Sequence, residues 1–70
     1  MTTAEYRAAL AALGLTQAGG ARFLGVDERT SRKWATGERN IPEPVSRFLR
    51  FLIAAKIKPS RVTLLIELDI

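Results

Sequence analysis

The sequence contains no cysteine and no histidine. These two absences exclude disulfides and thiolate zinc sites, and they remove the commonest general base. A catalytic reading would have to rest on scattered carboxylates, lysines and hydroxyls. Seventy residues make one domain with a single modest core, near the lower limit for folding without a covalent or metal staple. A chain this short has few walls from which to build a deep pocket. No enzyme, no metal site and no small-molecule cofactor are therefore expected. Long apolar runs are missing too. No stretch reaches the roughly 18 residues that a membrane span needs. The opening MTTAEYRAAL has no basic region leading into an apolar one, so it does not read as a secretory signal. No membrane association is expected, and cytoplasm is the expected compartment.

What is present is positive charge and helical periodicity. Eleven Lys/Arg stand against seven Asp/Glu, for a formal charge of +4 and a pI near 10.4. That balance suits a polyanionic partner, although charge alone does not name one. Thr2 and Glu5 have capping-box spacing, with Thr3 as an alternative cap, and they open a first helix. Its apolar positions Tyr6, Ala9, Leu10 and Leu13 recur at helical intervals, and Gly14 stops it. Thr16 caps a second helix from Gln17 to Leu24, whose interior is weakened by Gly19 and Gly20. Gly25-Val26-Asp27 is a short turn, with Asp27 the cap of a third helix over about Glu28 to Thr36. Gly37 closes it.

Ile41-Pro42-Glu43-Pro44 then forces an extended entry into a fourth helix from about Glu43 to Ala55. On a helical wheel its apolar residues, Val45 to Ala55, fill an arc of about 200°. One small core covers about half of that. The surplus needs the C-terminal segment, a partner subunit, or both. The segment from Lys58 to Ile70 fits two descriptions. Val62, Leu65 and Ile66 suit a short helix, while Val62, Leu64, Ile66, Leu68 and Ile70 alternate as a strand would. The helix is the expectation and the strand its alternative.

The stretch from Thr16 to Gly37 reads as helix, three-residue turn, helix, with small Ala21 facing the turn so that the two helices can cross closely. Leu15-Thr16-Gln17-Ala18, Ala21-Arg22-Phe23-Leu24-Gly25-Val26, Arg29-Thr30 and Trp34-Ala35-Thr36-Gly37-Glu38-Arg39 resemble the Cro and phage-repressor type helix-turn-helix family. The resemblance spans roughly residues 3 to 55 and is densest over 15 to 39. It implies a compact, all-α, four- or five-helix lambda-repressor-like domain filling residues 1–70. Two positions depart from the family. Many relatives carry leucine at the position of Gly20, and valine or isoleucine at that of Ser31. Unless the helices draw together, or Phe23, Trp34 and Val26 fill in, the junction would hold a void.

The third helix divides cleanly without help from the family. Glu28, Arg29, Arg32, Lys33 and Thr36 share an arc of about 140°, while Thr30, Ser31, Trp34 and Ala35 lie opposite. Long polar side chains on one face and a packing face behind them are what a major-groove helix requires. Arg29 suits guanine, and Arg32 and Lys33 suit bases or phosphates. Glu28 suits cytosine N4 or else braces Arg32 one turn away, and the brace is the expectation. The resemblance implies that Gln17, in the first turn of the second helix, meets a phosphate. It implies the same for the loop residues Arg39 and Asn40. Thr36 and Thr30 are further phosphate candidates, although Thr30 also suits a structural role. Trp34 points inward and reads as core; Arg47 and Arg50 read as a solvated stripe.

The expected function is a sequence-specific regulator of transcription, a repressor, binding double-stranded DNA as a homodimer. Phe51, Ile53, Ile57, Leu64 and Leu68 form the expected dimer or partner surface. The alternative is an antitoxin-like or adaptor protein whose main role is to bind a protein partner through residues 45–70.

Overall fold

Five helices order the described residues: α1 (Thr3–Ala12), α2 (Gln17–Leu24), α3 (Glu28–Thr36), α4 (Glu43–Ala54) and α5 (Pro59–Leu68). They belong to a computed structural model that describes residues 1–68. The domain is all-α. The strand alternative for the C-terminal segment is overturned over the described residues, because α5 is helical from Pro59 to Leu68. Ile70, which entered the alternating pattern, lies outside the described residues.

The helix starts follow the sequence signals closely. Thr2 takes the cap of α1: the Glu5 N–H donates to its hydroxyl at 3.1 Å, and the Thr2 N–H donates to the Glu5 carboxylate at 2.8 Å. The Thr2 N–H on the carboxylate is the leading cause that holds the Glu5 carboxyl below its ordinary range, with Arg50 adding to the effect. Thr3, the alternative cap, does other work described below. Thr16 caps α2 by accepting from the Gly19 N–H at 2.9 Å. Asp27 occupies the cap position of α3 without a side-chain hydrogen bond to the helix. Pro42 precedes α4, and Pro44 lies in its first turn, where the missing N–H has no helical partner to lose.

Three helix ends are built alike. Beyond α1, α2 and α4, the Leu15, Val26 and Ile57 N–H groups return to the carbonyls of Leu10, Ala21 and Leu52, at 2.8, 3.0 and 2.9 Å. Each is a Schellman motif with an apolar residue just past a left-handed position. Gly14 and Gly25 hold that position for α1 and α2, but after α4 it belongs to Lys56, at φ 57°. A lysine there carries a steric cost that glycine avoids.

The core lies where α1, α3 and α4 meet. Tyr6, Ala9, Leu10, Trp34, Ala35 and Leu49 form it, with Leu13, Leu15, Leu24, Val26, Ile41 and Val45 packed around them. Tyr6 and Trp34 meet edge to face, with ring centroids 5.7 Å apart and planes at 84°, a favoured aromatic arrangement.

The two departures at the α2–α3 junction have separate resolutions, neither of them anticipated. A Cβ on Gly20 would lie 2.8 Å from Leu10 Cδ2. Leu10 of α1 therefore occupies the space that a branched side chain on α2 would fill. Phe23 is not the filler: it stacks on Phe48, with centroids 5.7 Å apart. Ser31 is fully buried and bonded to two partners, described below.

The exchange of volume between Leu10 and Gly20 makes a quantitative prediction. Leu10→Ala should cost about 2–5 kcal/mol as a cavity. Gly20→Leu alone should cost about 1–3 kcal/mol through overpacking. Combined, they should destabilise by at least 1 kcal/mol less than the sum of the two, as measured by urea unfolding.

Candidate nucleic-acid interface

On α3 the sequence alternates between what can pack and what cannot, and the fold honours that division. Ser31, Trp34 and Ala35 are buried. Glu28, Arg29, Arg32 and Thr36 are exposed, with Lys33 and Thr30 half-buried. Thr30 thus sits at the edge of the packing face. Thr36 donates its hydroxyl to the Lys33 carbonyl at 3.4 Å within the same helix. The five residues of the polar arc share one outward face, and the stems of Arg29, Arg32 and Lys33 give it reach.

The expected brace between Glu28 and Arg32 is not formed. The ion pairs among the described residues are Arg47–Glu43 and Arg50–Glu5. Glu28 instead has a reason to be where it is: a carboxylate in the first turn of a helix is favoured by the partial positive charge of the N-terminus. Arg47 and Arg50 are exposed and engaged with carboxylates, as a solvated stripe should be.

Two contacts bring the flanking candidates to α3. The Ser31 hydroxyl donates to the Gln17 carbonyl at 3.1 Å, which ties the first turn of α2 to α3 while leaving the Gln17 side chain exposed. The Arg39 N–H returns to the Lys33 carbonyl at 3.3 Å, so the loop after α3 folds back on its last turn. Arg39 and Asn40 are exposed. Exposed polar side chains thus lie beside α3, Gln17 next to its middle through the tie to Ser31 and Arg39 and Asn40 past its last turn.

What sequence reasoning missed is the part α1 plays. The Tyr6 and Ser31 hydroxyl oxygens lie 2.7 Å apart. The single Ser31 proton is committed to Gln17, so Tyr6 is the donor between them. Thr3 donates its hydroxyl to the Trp34 carbonyl at 3.1 Å. α1 therefore grips α3 at two points one turn apart, and its tyrosine completes a chain that ends on α2. A signal was available. Ser31 falls on the packing face of the wheel, and a buried hydroxyl requires a partner.

The expected partner surface divides. Phe51, Ile53, Leu64 and Leu68 are exposed, Leu68 at 72% and Phe51 at 59%. Ile57 is half-buried, drawn in by the Schellman closure of α4, and lines a groove of about 620 Å³ with Leu13, Leu15 and Leu52. No residue of α5 is buried. Among the described residues no group of three or more acidic side chains is placed to hold a metal ion, and no helix is long and apolar enough to cross a membrane.

No family model, curated protein or solved structure matches this chain.

Burial pushes the Tyr6 phenol above its ordinary value of 10.0, and it must stay protonated to donate to Ser31. Its contribution to stability is therefore complete below about pH 10 and lost as pH rises through the raised value. Tyr6→Phe should cost about 1–2 kcal/mol at neutral pH. In urea titrations across pH 9 to 12, the variant should lose stability less steeply than the parent chain.

Proposed function

We propose that this protein is a sequence-specific regulator of transcription, a repressor, which reads the major groove of double-stranded DNA with α3. The observation that carries the reading is the outward face of α3. Glu28, Arg29, Arg32, Lys33 and Thr36 stand together on one side of a helix whose other side is buried against α1 and α2. A helix fixed from behind and cationic in front suits the major groove, which is wide enough to take it. The resemblance of residues 15–39 to the Cro and phage-repressor type helix-turn-helix family supports the same reading. The charge of +4 does so too.

In this reading Arg29, Arg32 and Lys33 meet base edges, with Glu28 a further reader. Gln17, Thr30, Thr36, Arg39 and Asn40 meet phosphates. A single module covers too little DNA for tight binding, whereas a homodimer on two half-sites about one helical turn apart multiplies the affinity. The exposed side chains of Phe51, Ile53, Leu64 and Leu68 are the surface for the second copy. That same exposure favours a second reading, an antitoxin-like or adaptor protein whose apolar face docks a different protein.

Selection of binding sites from random duplex DNA tests the proposal directly. A two-fold symmetric site is the expected result. Recovery of no preferred sequence, together with a stoichiometric protein partner, would reverse the order of the two readings. On the selected site, Arg29→Ala should relax the preference at one base pair and cost about 1–3 kcal/mol there. Arg39→Ala should weaken all duplexes alike and flatten the salt dependence. If Arg29→Ala leaves the preference untouched, the reading face is wrongly assigned.

A further inference from the structure

We propose that Tyr6 and Ser31 are positioning residues for DNA recognition. The chain from the Tyr6 hydroxyl through the Ser31 hydroxyl to the Gln17 carbonyl sets the reading helix against the phosphate-facing first turn of α2. The inference rests on the DNA-binding reading above.

Three helices meet at one oxygen. Tyr6 of α1 lies 2.7 Å from Ser31 Oγ of α3, and that hydroxyl donates to the α2 backbone at 3.1 Å. Tyr6 and Ser31 are both fully buried. Apolar side chains at the same junction would hold the helices together without direction, because packing tolerates sliding that a hydrogen bond does not. A slip of one residue along a helix is about 1.5 Å, enough to break both bonds. Base edges must be met within about 0.5 Å by side chains on a rigid support.

The Thr3 bond to the Trp34 carbonyl, at 3.1 Å, anchors the same face of α3 a turn further on. Two anchors, at Ser31 and Trp34, fix rotation about the helix axis as well as translation along it. The chain also acts on the phosphate side. Donation to the Gln17 carbonyl polarises the peptide whose N–H belongs to Ala18. That N–H is in the first turn of α2, where donors have no partner within the helix. The relay thus aims the reading helix and sharpens an anion donor together.

The test compares Tyr6→Phe, Ser31→Ala and a core control, Leu52→Val, in the full chain. Leu52 is buried on α4 and takes no part in the hydrogen-bond chain. Each protein is titrated, at one salt concentration, with the duplex selected by the parent chain and with a scrambled duplex of the same composition. The readout is the ratio of the two affinities, in which any unfolded fraction cancels. Tyr6→Phe and Ser31→Ala should each lower the ratio about five- to tenfold, because scrambled-site affinity follows charge and stays constant. Leu52→Val should lower the melting temperature and leave the ratio unchanged. Ser31→Ala deletes a single buried oxygen and carries the test if Tyr6→Phe does not fold. An unchanged ratio in the relay variants, or an equal fall in Leu52→Val, overturns the positioning role while the DNA-binding reading stands. A parent chain with no preference for any duplex overturns both.

Discussion

A serine hydroxyl buried where α1, α2 and α3 meet governs the geometry of the N-terminal half. It has one proton to give and room to accept one, and both are used: Gln17 takes the first and Tyr6 supplies the second. An unsatisfied hydroxyl in that place would cost about 1–3 kcal/mol. The seat of α3 therefore favours the arrangement in which this hydroxyl keeps both partners. The T-shaped contact of Tyr6 with Trp34 and the Thr3 tie to the Trp34 carbonyl agree with that arrangement. Polar and apolar contacts point to the same pose, which is how a small domain specifies one structure with few residues.

The C-terminal half obeys a different constraint. α4 gives Leu49 and Leu52 to the interior and leaves Phe51 at the surface. α5 gives nothing to the interior, although Leu64, Leu65, Ile66 and Leu68 are all at least half exposed. A helix of ten residues has little stability in water by itself. With no residue buried, α5 gains little of the packing that ordinarily holds a helix this short. The division of labour is clear: one half is fixed by directed bonds, while the other holds apolar surface in reserve.

Much of this was legible beforehand. Caps, glycine stops and the Gly25-Val26-Asp27 turn located three helices and the Pro42–Pro44 entry a fourth, because each signal acts through local backbone chemistry. The two faces of α3 were equally plain, since a wheel needs only spacing. Legibility ended where partners are distant in sequence. Leu10 against Gly20 and Tyr6 against Ser31 join residues of different helices, and periodicity carries no record of such pairing. The end of α4 was read to within one residue, Ala55 against Ala54, although a lysine stands where the stop would ordinarily be glycine. The C-terminal segment satisfied two periods at once, and only the folded chain separates them.

The volume shared by Leu10 and Gly20 has a consequence for how this sequence can change over time. The bulk that closes the junction sits on α1 instead of on α2, so the two positions are bound as a pair. A step that enlarges residue 20 first meets Leu10 at 2.8 Å, and a step that trims residue 10 first opens a hole. Each order passes through a less stable intermediate. Paths between this chain and one with a branched residue at position 20 therefore cross a valley, and stability held elsewhere in the domain determines which order can be survived.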